Sequence, residues 1–290
     1  MIAQISVSAQ DAAAYRRDGA VVLRGILGPQ QLRLLEDGIE EAYANPGSRY
    51  SRVRSPDGQG ETFVEQYVSQ RSPSLKALMD SGLVGEIAAR LMDTPSAQLI
   101  LDQLFYKSPG VIVPTPWHQD TPFLRVRGQD MIRVWMPCDS SPPELTVQVV
   151  RGSHRWNVVY NAQGGEAEKV TKPEVLGEYN HDDLGDDHLP PPPDVARYRD
   201  SFDIVQWDVQ PGDVLVFQGN MLHGAQGLPW YDRPRRAFAS MWGGPELRYH
   251  APRGKAFPAP GSLGGDAMIP HGARIGDHED AFPVGWRARA

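Results

Sequence analysis

The sequence has a single cysteine, Cys138. One thiol supports neither a disulfide framework nor a thiolate-rich zinc site. No apolar run approaches membrane-spanning length, and the opening residues MIAQISVSAQ lack the basic start and apolar centre of a signal peptide. Positive charge is also in short supply. Lys and Arg number 29 against 36 Asp and Glu, for a formal net charge of -7, which argues against a general nucleic-acid or anionic-membrane partner. These absences leave the expectation of a cytoplasmic globular protein with a small-molecule substrate. The oligomeric state is not written in the chain, and the length of 290 residues alone does not separate one large domain from two. Internal repeats are lacking too. Among the cations Arg greatly outnumbers Lys, a balance that suits carboxylate recognition.

The chain opens on helical signals. Ser8 is a candidate N-cap with Asp11 three residues on, and Gly19 closes a short helix that contains Tyr15 and Asp18. Ala20-Val21-Val22-Leu23 reads as a strand. Gly28-Pro29 opens a second helix with Leu32, Leu35, Ile39 and Tyr43 at roughly helical spacing, stopped by Asn45-Pro46-Gly47. The Ser-, Arg- and Gly-rich stretch from Gly47 to Thr62 reads as a surface loop, and two short helices follow around Ser74–Asp80 and Leu83–Met92. From Ala97 the pattern changes to short apolar or alternating runs separated by Gly, Pro, Ser and Asp. These are 98–106, 131–136, 145–150, 202–207, 214–217 and 236–242. Such spacing predicts an antiparallel sandwich or jelly roll, with an irregular α+β domain as the alternative. The expected organisation is one domain over 1–290: helical support at about 8–93, a jelly-roll core at about 97–243 and a coil-rich tail over 244–290. The polar segment 161–200, which includes four consecutive prolines at 190–193, has the length of a lid, a binding loop or a disordered segment. His181 and His188 within it, and His250, His271 and His278 in the tail, read as solvated.

Chemistry concentrates in Pro116-Trp117-His118-Gln119-Asp120-Thr121. On an extended strand, His118 and Asp120 share a face and are able to grip one metal ion. H-x-D alone is common and fits a polar strand end equally well. A second imidazole would complete a facial triad of two His and one carboxylate, the usual site of non-haem Fe(II) oxygenases. His223 supplies it, delivered by a Pro211-Gly212-Asp213 turn and the apolar run Val214–Phe217. Asp232-Arg233-Pro234-Arg235-Arg236 then puts a basic pair at the start of the last strand. His-x-Asp, a distant His and an Arg about a dozen residues further on are together what an Fe(II)/2-oxoglutarate oxygenase needs. Three ligands hold iron, a keto acid chelates two open positions, and a cation pairs with its distal carboxylate.

These pieces, together with YRRDGAVVLRG, VWMPCD, Gly152-Ser153-His154 and RPRRA, resemble the phytanoyl-CoA dioxygenase family of Fe(II)/2-oxoglutarate oxygenases from about Tyr15 to Trp242. The resemblance implies a double-stranded β-helix of cupin-like jelly-roll form, mainly β, with helices supporting one side. It implies His118, Asp120 and His223 as iron ligands and Arg235 as the partner of 2-oxoglutarate, with O2 as the second cosubstrate. Parity alone leaves open whether Arg235 or Arg236 faces inward, and the resemblance selects Arg235. Gln103 and Tyr106 are expected beside the cosubstrate. Trp117, Phe123, Trp135 and Trp242 are candidate pocket walls, and Arg125, Arg127 and Arg133 are candidates for holding a substrate carboxylate. His154 resembles a turn feature of the family rather than a ligand. The chain departs from the family at Pro142–Leu145, at Arg151, and at Ala225, where a hydroxyl that helps bind the cosubstrate is common. Halogenating relatives replace the carboxylate ligand with a small residue; its retention as Asp120 points to hydroxylation of a small natural-product intermediate, an acyl thioester or a free acid. Two other readings stand beside this one: a cupin-type metal enzyme that does not use 2-oxoglutarate, and a non-catalytic binding protein on the same fold.

Overall fold

The computed structural model describes residues 7–55, 58–161, 188–250 and 269–289. Four α-helices, α1 (Ala9–Asp18), α2 (Pro29–Ala44), α3 (Pro73–Asp80) and α4 (Leu83–Met92), surround the first strands. Strands β1 (Ala20–Leu23), β2 (Tyr50–Arg54), β3 (Glu61–Gln66), β4 (Ser96–Lys107), β5 (Gly110–Ile112), β6 (Thr115–His118), β7 (Val126–Arg127) and β8 (Met131–Pro137) come first. Then follow β9 (Gln148–Val150), β10 (Ile204–Val205), β11 (Val214–Gln218), β12 (His223–Ala225), β13 (Leu228–Tyr231), β14 (Arg235–Gly243), β15 (Arg248–Tyr249) and β16 (Val284–Arg287). The major sheet runs β1-β11-β8-β14-β4-β3-β2, with β16 added on β4, and the minor sheet runs β10-β9-β12-β6. Every pairing is antiparallel, as the short alternating runs require.

Local chemistry sets the helix ends. Ser8 and Asp11 form a reciprocal capping box at the start of α1. Gly19 ends that helix at φ 83°, and a Cβ there would sit 2.3 Å from both the His154 ring and the Met221 sulfur. Only glycine meets both the left-handed backbone and the close approach. The apolar side chains Leu35 and Ile39 of α2, Leu75 and Leu78 of α3, and Val84 and Ile87 of α4 are fully buried. They pack in one cluster with Leu104, Val134, Val216, Phe238 and Trp242 of the major sheet. A second cluster lies on the sheet's other face and joins Trp135, Leu215, Phe217, Ala237 and Ala239 to Val149 of the minor sheet. The helices therefore cover one side of the major sheet, and the site lies on the other.

Two stretches differ from the sequence expectation. The Ser- and Arg-rich segment after Gly47 forms the β2–β3 hairpin. Its polarity hid an edge strand whose Arg52 spreads over Phe63 at 4.9 Å and bonds Glu61 at 2.7 Å. The tail, expected as coil, returns as β16 on β4, where Gly285 lies flat against the Trp242 ring. Of the long 161–200 connection, residues 162–187, including His181, lie outside the described residues. Val195 is buried with Val150 and Leu222 on the outer face of the minor sheet, so the described end of this segment is docked. Among the described residues no helix is long and apolar enough to cross a membrane.

Candidate metal centre and the polar row beside it

Strand β6 ends at His118, and Asp120 lies beyond it in helical backbone at the head of a short 3-10 turn, Thr121–Phe123. His118 and Asp120 therefore do not share a strand face, contrary to the expectation from their spacing; a bend after the strand brings the carboxylate round instead. The residues between and after them act as staples. Gln119 donates to the carbonyls of Asn220 at 2.8 Å and Val158 at 3.0 Å, and accepts from the Tyr160 N–H at 2.9 Å. The Thr121 hydroxyl donates to the Gly219 carbonyl at 3.1 Å and also bonds the Asn220 side chain. The bonds to Gly219 and Asn220 tie His-Gln-Asp-Thr to the turn that precedes His223, and those to Val158 and Tyr160 tie it to the segment after Gly152-Ser153-His154.

Further anchors lie on either side of β11. Asp213 accepts from the Gly25 and Gln210 N–H groups and from Arg24, fixing the Pro-Gly-Asp corner against the loop after β1. The Ser153 hydroxyl accepts the Leu222 N–H at 2.9 Å, giving Gly152-Ser153-His154 a structural role one residue away from the ligand. In β12, His223 pairs directly opposite His118, and the two rings approach to 4.2 Å between centroids. Backbone pairing thereby joins positions remote in the sequence.

The donor set fits a metal ion. Nδ1 of His118 lies 2.8 Å from the Pro116 carbonyl and Nδ1 of His223 lies 3.0 Å from the Met221 carbonyl. A carbonyl only accepts, so each Nδ1 carries the proton and each Nε2 presents its lone pair. Those Nε2 atoms stand 3.9 and 3.8 Å from Asp120 Oδ1, and the three ligand atoms lie within 4.8 Å of one another. With bonds of about 2.1 Å an octahedral ion wants neighbouring ligands roughly 3 Å apart, so each His–Asp distance would contract by about 1 Å. Burial pushes His223 down to about 3, helped by the neighbouring His118, so it is neutral. Burial alone would raise Asp120; the Arg133 guanidinium leads the opposing influences, and the net shift is downward, so the carboxylate is ionised. Its Oδ2 has no hydrogen-bond partner.

Facing the triad, alternation on the major sheet sets out a row of polar side chains. Arg235 opens β14 with its guanidinium 5.3 Å from the Trp135 ring and its Nε without a partner. Directly opposite on β4 is Lys107, buried and bonded to the Val113 carbonyl at 2.9 Å. Burial, then the charge of Arg235, pushes Lys107 down to about 7, and burial lowers Arg235 to about 10. Neither cation has a carboxylate within ion-pair distance among the described residues. Further along the same face Gln103 accepts from Arg133, whose Nη1 stands 3.8 Å from Asp120 Oδ2. Gln66 on β3 pairs in register with Gln103 and is buried with both amide atoms unpartnered.

The structure brings His118, Asp120, His223, Gln103, Arg133, Trp135 and Arg235 together, and Phe123 meets the His118 ring edge-on at 5.8 Å. Other sequence candidates lie elsewhere. Tyr106 and Trp242 have the opposite parity: Tyr106 stacks on Tyr43 of α2 at 3.8 Å, and Trp242 is buried in the helix-side cluster. Trp117, one residue from His118, packs on the outer cluster with Val150 and Leu222. Arg127 donates to the carbonyls of Thr121, Leu124 and Val126 at 2.7–2.8 Å, holding the turn after Asp120 rather than facing a substrate. Arg125 is half-buried, with its carbonyl accepting the His250 N–H. Arg236 takes the helix side, bonded to Asp139 at 2.7 Å and to Glu40 of α2 at 2.6 Å. The sequence reading missed Lys107 and Gln66. Strand parity counted from Gln103 was the available signal for Lys107; Gln66 needed the hairpin to be seen first.

Comparison with known proteins agrees with this geometry. The chain is 22% identical over 242 residues to dioxygenase FrzG of Cladobotryum sp, covering 78% of this chain and 71% of that one. It is 23% identical over 227 residues to the ectoine dioxygenase of Sphingopyxis alaskensis, covering 76% and 71%. Among solved structures it is similar to the non-haem α-ketoglutarate-dependent epimerase SnoN from nogalamycin biosynthesis, at 17% identity and a TM-score of 0.66 over 96% of this chain and 95% of that one. The phytanoyl-CoA dioxygenase (PhyH) profile matches residues 15–228, from α1 through β12 into β13. With its two histidines and aspartate gathered on the inner face of a jelly roll, the chain belongs to the phytanoyl-CoA dioxygenase family.

Proposed function

We propose that this member of the family is an Fe(II)- and 2-oxoglutarate-dependent dioxygenase that hydroxylates an unactivated C–H bond of a small organic substrate. The observation that carries the reading is the His118–Asp120–His223 cluster, with both Nδ1 atoms tied to carbonyls and both Nε2 atoms turned inward. These three side chains would hold the iron. When bound, the metal with 2-oxoglutarate and O2 supplies the oxidising power, as succinate and CO2 are released. Arg235 receives the distal carboxylate of the cosubstrate, and Lys107 opposite it stands where a second donor is needed, since Ala225 provides no hydroxyl. Ala237 and Ala239 leave room along β14 between that end and the triad, and Trp135 forms the floor. Phe217 and Phe123 pack against the ligand rings and keep water from them.

Hydroxylation rather than halogenation rests on the carboxylate of Asp120, which occupies the position a halide would need. The test is anaerobic binding of Fe(II) and then 2-oxoglutarate, followed by O2-dependent succinate formation across acids, alcohols and thioesters. Succinate formation tied to one substrate, with an oxygen atom gained in the product, is the expected result. Turnover without 2-oxoglutarate would favour a cupin-type metal enzyme, and failure to bind 2-oxoglutarate would remove the reading altogether.

A further inference from the structure

The inner face holds more cationic and polar capacity than iron and 2-oxoglutarate use. In formal charge, a divalent ion with Asp120 leaves one positive charge, and Arg133 and Arg235 add two. A dianionic keto acid leaves a net positive charge behind, before Lys107 is counted. Burying such an excess is costly unless an anion joins it. The surplus is localised at Arg133, which is only 6% exposed. Among the described residues its one carboxylate neighbour within ion-pair distance, at 3.8 Å, is Asp120, which the metal would claim. The guanidinium donates to Gln103 and lies 5.8 Å from the Phe105 ring, so it is held on this face.

Gln66 adds an independent observation. It is 2% exposed, pairs in register with Gln103, and neither its amide oxygen nor its amide nitrogen has a partner. An orphaned carboxamide in a core is destabilising, so a donor and an acceptor are kept on this face for something not made by the chain itself. Phe63 and Glu65, the residues of opposite parity on β3, face the helix side, where Glu65 is claimed by Arg71. Gln66, Gln103 and Arg133 therefore form a continuous polar row that ends at the metal ligands.

Building on the proposed function, we infer that Arg133, Gln103 and Gln66 form a subsite for a carboxylate of the primary substrate, which places the oxidised C–H close to that carboxylate. The substrate class is thus a small carboxylic acid, free rather than thioesterified. Arg133 forms the charge-assisted pair; Gln103 orients the guanidinium, and Gln66 bonds the atoms next to the carboxylate.

The test uses the full chain loaded anaerobically with Fe(II) and 2-oxoglutarate, whose binding is measured first. Failure at that stage strikes the proposed function, not the subsite. The loaded protein is then titrated with amino acids and with aliphatic and aromatic carboxylic acids, each beside its primary amide, following the visible absorbance of the loaded centre and succinate formation. Carboxylates are expected to bind at least about tenfold tighter than their amides. Arg133→Gln abolishes that preference and leaves 2-oxoglutarate affinity within about threefold; Arg133→Lys recovers part of it. Gln66→Leu melts no lower than the parent, because an orphaned amide is lost, yet weakens carboxylate binding by about threefold to tenfold. Equal binding of acids and amides would overturn the inference. So would an Arg133→Gln protein that loses Fe(II) affinity but keeps the acid preference, since Arg133 would then only position Asp120.

Discussion

Exchanging Arg235 and Arg236 for alanine, one at a time, should separate two adjacent arginines by opposite signatures. Arg235 is buried without an ion pair among the described residues, its Nε unpartnered, above Trp135 and beside Lys107. Removing it takes an uncompensated cation out of the core, so stability should hold or rise slightly. A guanidinium fork on a carboxylate is worth about 3 kcal/mol at the upper end for charged hydrogen bonds, which corresponds to roughly a hundredfold in Kd. Arg235→Ala is therefore expected to weaken 2-oxoglutarate by about that factor. Arg236 is different: it bonds Asp139 through both its backbone N–H and its guanidinium, and reaches Glu40 of α2 at 2.6 Å. Glu40 is largely exposed and adds little, but the Asp139 pair is mostly buried. Its loss should cost about 2 kcal/mol, a drop of several degrees in Tm. The assays are anaerobic calorimetry of 2-oxoglutarate into Fe(II)-loaded protein and thermal melts of the same samples. If Arg236→Ala lost cosubstrate affinity while Arg235→Ala lost stability, the facing of β14 would be wrong by one residue.

His223→Ala or Asp120→Ala should lower Fe(II) affinity by at least about tenfold and abolish 2-oxoglutarate turnover, measured by metal titration and succinate yield. Lys107 is held at about 7 by burial and by the charge of Arg235; it pairs in register with Thr62 of β3 and donates to the Val113 carbonyl. A carboxylate beside it favours the ammonium, so 2-oxoglutarate should bind tightest below about pH 7 and weaken as pH rises beyond it. At pH 8, calorimetry in two buffers of different ionisation enthalpy should show net proton uptake, and Lys107→Met should remove it. The unfolded chain binds this proton up to the ordinary Lys value near 10.4. Through this group alone the ligand-free fold therefore gains stability as pH rises above 7 toward that value. Gly285→Ala drives a Cβ to 2.2 Å from the Trp242 ring; the melt should fall by about 1–3 kcal/mol of stability while 2-oxoglutarate affinity stays unchanged.

Much of the local chemistry was legible in the chain. Ser8, Gly19, Gly28-Pro29 and Asn45 mark helix ends because capping depends on a few neighbouring residues. Likewise the Pro211-Gly212-Asp213 corner and the apolar runs at β4, β8, β11 and β14 declare themselves through turn chemistry and period. His118, Asp120 and His223 could be singled out as candidate ligands because their residue types, with the family resemblance, point to metal chemistry, and the fold gathers the three within 4.8 Å of one another. The polar β2–β3 hairpin and the returning β16 were not legible, since each depends on a partner that supplies its apolar contacts from far along the chain: Phe63 under Arg52, and Trp242 against Gly285.

The sequence by itself determined which side chains are offered to a metal, which residues stop the first two helices, and that Arg235 and Arg236 face opposite ways. Tertiary structure decided the rest. Cross-strand pairing set His223 opposite His118, and a bend after β6, stapled by Gln119 and Thr121 to the turn at Asn220, brought Asp120 to them. Packing of the helices on one face of the major sheet sent Tyr106 and Trp242 to that side and left Lys107, Gln103, Gln66 and Arg133 on the other. The physical reason is the two-residue period of a strand: it separates neighbours onto two faces within the sequence, but which face becomes core and which becomes site depends on what the opposite sheet and the helices cover.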